Sequence, residues 1–133
     1  MIVVDTNVIA YLWLPGERTA AAERLLKRDS DWNAPLLWRS EFRNVLAGYL
    51  RRGDIKLETA LQIADGAEEQ MRGREFSVPS AQVLARVEES GCSAYDCEFV
   101  VLAEELGVAL ITSDERLVKS FSAVARSLAE AGG

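Results

Sequence analysis

Four acidic side chains stand where a folded chain could use them together: Asp5, Glu41, Asp96 and Asp114. Asp5 closes the apolar run IVV, and Asp114 follows the run LIT after one serine, so both lie just past strand-like segments. A carboxylate at the end of a buried strand is costly unless it stays wet or meets a cation. Carboxylates gathered in one place push one another's pKa values up, and a shared cation removes that penalty. Oxygen-only donors suit magnesium or manganese, ions that keep several waters and bridge to phosphate oxygens. Zinc would call for nitrogen or sulfur. The chain has no histidine and two cysteines, Cys92 and Cys97, which excludes a histidine-ligated zinc site and a histidine-based triad.

Each acid also has an ordinary structural use. Asp114 reads as the cap of a short helix from Glu115 to Phe121, and Asp96 complements a helix dipole near Ser93. Glu41 could pair with Arg39 or Arg43, although such close neighbours do not face one another well on a helix. Glu98 could assist Asp96 or simply face solvent. Asp5 has no comparable alternative, and one shared cause is more economical than four separate ones.

The elements that must position these residues are legible. Ile2 to Val4 and Val108 to Thr112 are continuous apolar runs of the kind found in central parallel strands, with weaker strands at Trp32 to Ala34 and Phe76 to Val78. Helices are predicted over Arg18 to Arg28, along the stripe Trp38, Phe42, Val45, Leu46 and Tyr49, and over Leu57 to Arg72 despite Gly66. Another starts at Pro79 and Ser80 and closes at Gly91. The next is capped by Ser93, shares a face among Tyr95, Phe99, Leu102 and Leu106, and ends at Gly107. Strands alternating with helices imply one three-layer α/β domain over residues 1–133, with a mainly parallel central sheet. In such sheets, sites form at the carboxyl ends of strands, which puts Asp5 and Asp114 on one edge. Glu41 and Asp96 border the apolar stripes of their helices and can lean toward that edge.

Composition narrows the function. Hydrophobic residues at 49% and charged ones at 27% describe an ordinary packed domain. No stretch is long enough to cross a bilayer and no basic leader is visible, so a cytoplasmic location is expected. A net charge of −6 argues against a general nucleic-acid coat. Locally the sign reverses, because Arg39, Arg43, Arg51, Arg52 and Lys56 face only Glu41 and Asp54.

Taken together, IVVDTNVIAYL, WRSEFRNVL, SAYDCEFVVLAEELG and LITSDERL resemble the PIN-domain ribonucleases, and among these the VapC toxins of bacterial type II toxin–antitoxin modules. The likeness spans nearly the whole chain. It implies a PIN-like fold and a magnesium-dependent endoribonuclease, with manganese as a substitute, forming a homodimer and restrained by a cognate antitoxin protein. It maps Asp5, Glu41, Asp96 and Asp114 onto the family's acidic positions, and Thr6, Asn7 and Thr112 onto the small polar residues beside them. On this reading Asp5, Asp96 and Asp114 hold one or two ions. Glu41 binds a second ion or orients the attacking water, while Thr6, Asn7 and Thr112 fix carboxylate geometry. Arg39 and Arg43 would then hold the RNA backbone. Tyr11 and Trp13, in VIAYLWLPG, offer an apolar contact for an antitoxin or a second copy. Two other readings compete: a non-catalytic PIN-like module that binds RNA or protein, and a haloacid-dehalogenase-like phosphatase. The phosphatase motif needs an aspartate where this chain has Asn7.

Overall fold

The computed structural model describes residues 1–133. Five short parallel strands form the sheet: β1 (Ile2–Val4), β2 (Trp32–Pro35), β3 (Glu75–Phe76), β4 (Leu110–Thr112) and β5 (Ala125–Ser127), in the order β3-β2-β1-β4-β5. Central β1 pairs Ile2 with Trp32 on one side and Val4 with Ile111 on the other. Val3, Val4, Leu110, Trp32 and Ala34 are wholly buried, as expected of strands covered on both faces.

The helices are α1 (Thr6–Trp13), α2 (Thr19–Arg28), α3 (Trp38–Arg51), α4 (Leu57–Gln70), α5 (Ser80–Ser90), α6 (Ala94–Leu106), α7 (Glu115–Ser120) and α8 (Leu128–Ala131). Helix α6 packs on β1, β2 and β4 with α5 against it, while α1 packs with α2, α3 and α4, completing three layers. No helix is long and apolar enough to cross a membrane. Both cysteines are buried and unpaired with each other, so they act as small apolar fillers.

Most boundaries fall where expected. Gly91 (φ 72°) and Gly107 (φ 68°) close α5 and α6 in the left-handed conformation that a glycine adopts without steric penalty. Three elements escape the sequence pattern. Helix α1 is hidden in the apolar run VIAYLW, which lacks a polar face, and β5 and α8 are too short to show a period. Tyr95 corrects another expectation: it is 62% exposed rather than sharing the buried stripe of α6. That helix lies between the sheet and α5, so Phe99 to Ala103 are buried continuously and no single stripe exists.

The Gly66 within α4 has a steric reason. A Cβ there would stand 2.5 Å from Cζ3 and 2.6 Å from Cη2 of Trp13, whose indole N–H donates to Gln70 Oε1 at 2.7 Å. Trp13 is thereby committed to the α1–α4 contact. Gly66→Ala should lower the thermal midpoint despite an intrinsic helix gain of about 1 kcal/mol. Trp13→Leu in that background should restore part of the loss, as read by thermal unfolding of both variants.

Candidate active site

The carboxyl ends of β1 and β4 meet where the strand order reverses direction from β1, the crevice position of an open α/β sheet. Asp5 sits at its floor, 8% exposed. It caps α1, with Oδ1 accepting from the Thr6 amide at 2.8 Å. Its Oδ2 accepts from the Thr112 hydroxyl at 2.7 Å and, more weakly, from Asn7 Nδ2 at 3.4 Å. Burial is the main force on this carboxyl and pushes its pKa up to about 6, with the charges of Glu41 and Asp96 adding to the rise against the Thr112 and Thr6 hydrogen bonds.

Glu41 comes from the first turn of α3, half-buried, and accepts from the Thr6 hydroxyl at 2.7 Å. Thr6 thus holds one acid through its amide and a second through its side chain. Burial raises the Glu41 pKa, followed by the charges of Asp96 and Glu98. Asp96 lies in the first turn of α6, positioned when the Ser93 hydroxyl accepts from its amide at 3.1 Å. Its pKa also rises, first through burial and then through Asp114. Asp114 caps α7, with Oδ1 accepting from the amides of Arg116 and Leu117 at 2.9 and 3.3 Å. Its own amide donates to the Thr112 hydroxyl at 3.0 Å. Capping and charge coupling are therefore both true of Asp114.

The four acids form an electrostatic chain around one crevice. No three of them stand close enough to encircle an ion on their own. This narrows the expectation of a cage made by Asp5, Asp96 and Asp114. The donor set nevertheless suits a hydrated hard cation, which needs one or two carboxylates and fills the rest of its shell with water. Asn7 Oδ1 adds a specific sign: it is buried beside Asp5 with no hydrogen-bond partner, an oxygen left without a donor or cation.

The two arginines expected at the RNA backbone divide. Arg39 grips Glu75 on β3 through Nε and, at 2.8 Å, through Nη2, and reaches Glu68 at 3.0 Å. The Trp38 indole donates to the same Glu75 carboxylate at 2.8 Å, and the Arg39 guanidinium holds that carboxyl below its usual range. Arg39 therefore ties α3 and α4 to the edge strand, whereas Arg43 is exposed. Arg18 is a further cation, joined to the β4 end through Tyr11. Arg18 stacks on the Tyr11 ring, 5.3 Å from its centroid, and donates to the Tyr11 hydroxyl at 2.7 Å. That hydroxyl shares a 2.9 Å hydrogen bond with Ser113, between Thr112 and Asp114. Only a helical α1, placing Asn7 and Tyr11 one turn apart, brings this group to the crevice. Glu98 is half-buried rather than facing solvent, and burial raises its pKa.

Comparison with known proteins agrees with this architecture. Ribonuclease VapC3 of Pyrobaculum aerophilum is 29% identical over 126 residues, covering 92% of this chain and 96% of its own. The crystal structure of PAE2754, also from Pyrobaculum aerophilum, has the same fold, with a TM-score of 0.78 at 20% identity over 98% of this chain and 92% of that one. The family pattern described as the PIN domain matches residues 2–126, and the chain belongs to that family.

Proposed function

We propose that the protein is a magnesium-dependent endoribonuclease, the toxin of a toxin–antitoxin pair, in which a partner protein restrains the activity and two copies associate. The observation that carries the reading is buried Asp5 beside half-buried Glu41 and Asp96, carboxylates that raise the pKa of their neighbours, with Asp5 and Glu41 held by threonine hydroxyls and not by basic residues. The relative named a ribonuclease supports the substrate class. Membership of the PIN family leaves no support for the phosphatase alternative.

A bound magnesium ion would supply positive charge against the scissile phosphate and a more acidic water. The protein's own part is positional. Thr112 and the Thr6 amide hold both Asp5 oxygens in place for the ion. The Thr6 hydroxyl holds Oε1 of Glu41, leaving its other oxygen free to orient the attacking water or accept its proton. Asp96, and Asp114 through its Oδ2, complete the negative wall. Arg43 and Arg18 meet the RNA backbone on either side, so an acidic protein can hold a polyanion.

Asp5→Asn should reduce magnesium-dependent cleavage of RNA by at least about a hundredfold. Stability should move the other way. A carboxyl that titrates near 3.8 when unfolded and near 6 when folded costs nothing below the lower value, where both states are protonated. Above the upper value it costs roughly 3 kcal/mol. In chelator at about pH 7 the Asn variant should therefore unfold at higher temperature than the parent, and the gap should close on acidification toward pH 4. A less stable variant at neutral pH, or wild-type cleavage, contradicts the assignment of Asp5.

Arg39→Ala should destabilise the fold by about 1–3 kcal/mol, through loss of paired and partly buried hydrogen bonds, with little change in RNA affinity. Arg18→Ala and Arg43→Ala should each keep the melting temperature and lower the salt dependence of RNA binding by about one counterion. Fluorescence anisotropy of a labelled single-stranded RNA across a salt series separates the two outcomes.

A further inference from the structure

Near the carboxylates lies a concavity of about 350 Å³, between the end of β3, the start of α5 and the first turns of α6. Phe76, Val78, Val83 and Leu84 form apolar walls, with Leu36 at the rim. Leu84 and Leu36 are 61% and 52% exposed, so much of that apolar surface is uncovered. A single acid, Glu98, lines the pocket and makes no hydrogen bond or ion pair within the chain.

This pocket adjoins the acidic site through Glu98. Ala94 and Glu98, one turn apart on α6, present the face that lines it, while Asp96 projects from the other side of the same turn. Glu98 is also near enough to Glu41 for their charges to be felt. A nucleotide whose phosphate is held at the acidic site beside Glu41 would have this pocket next to it on the Glu98 side. The pocket's chemistry rejects a phosphate, because no lysine or arginine lines it and Glu98 is anionic. It suits a planar, largely apolar ring with hydrogen-bond donors on its edge. Single-stranded RNA is read in this manner, by unstacked bases lodged against aromatic and apolar side chains and hydrogen-bonded along their edges.

Resting on the nuclease reading, we propose that this pocket receives the base of the RNA nucleotide adjoining the cleaved phosphate, with the Glu98 carboxylate accepting from the base's amino edge. Guanine fits best, because its N1–H and N2 amino group lie side by side and match both carboxylate oxygens. Cytosine and adenine each present one amino group. Uracil fits least well, since its only N–H is flanked by two carbonyl oxygens that Glu98 repels.

Two measurements test this. Isotope-labelled protein in chelator is titrated with each of the four nucleoside 5′-monophosphates, and backbone amides are followed by NMR. Residues 76–84 should shift most with GMP and least with UMP, and Glu98→Ala should level the four responses. Separately, a randomised RNA pool is cleaved in magnesium and the ends are mapped. The wild type should favour an amino-bearing base at one position beside the cut, and Glu98→Ala should weaken that preference by about tenfold. The pocket assignment is overturned if no nucleotide perturbs residues 76–84, if Glu98→Ala keeps the same preference, or if a second copy closes the pocket in a dimer that Leu84→Glu dissolves. Nucleotide binding with no cleavage of any RNA would instead sink the nuclease reading while base recognition stands.

Discussion

The short hydrogen bond from the Thr112 hydroxyl to Asp5 is the joint on which the molecule is built. It links the residue that follows β1 to the last residue of β4 across the seam where the strand order turns back, and the same hydroxyl accepts from the Asp114 amide. One step away, Thr6 ties Asp5 to Glu41. Two threonines thereby fix the spacing of acids drawn from three parts of the chain. A hydroxyl is the right tool, because it donates to a carboxylate without neutralising it. A lysine or arginine there would satisfy the charge and abolish the reason for a cation to bind.

The cost falls on the fold. Val3 and Val4 are wholly buried and Asp5 follows at once, so the hydrophobic core and the floor of the crevice are one residue apart. Central strands of three residues leave no intervening polar layer. Burial that stabilises the valines therefore destabilises the ionised aspartate beside them. The buried run Phe99 to Ala103, packed on β1, and the Trp38–Arg39–Glu75 cluster at the sheet edge supply stability that offsets this conflict.

Much of this was legible from the residues alone. Parallel strands buried on both faces announce themselves as unbroken apolar runs, and glycine caps punctuate helices, so β1, β4, α5 and α6 were plain. The positions of Asp5 and Asp114 followed from the rule that sites collect at the carboxyl ends of parallel strands. What could not be read was partnership across the sequence. Arg39 and Arg43 look equivalent one helical turn apart, yet only the first faces Glu75, a residue far along the chain. Trp13 and Gly66 are each unremarkable until they touch. Tyr11 and Arg18 gain meaning only through Ser113. Helix α1 carries no such signal, because its apolar residues surround it and erase the period that distinguishes helix from strand.

Asp114 shows how a routine alanine scan could mislead in this protein. Its Oδ1 satisfies two amides at the start of a six-residue helix that packs against β4 and β5. Truncation to alanine would subtract a cap worth about 1 kcal/mol and let that helix fray, so lost activity would confound chemistry with local unfolding. Asparagine caps about as well as aspartate while removing the negative charge, which makes the amide the replacement whose phenotype can be assigned to a single cause.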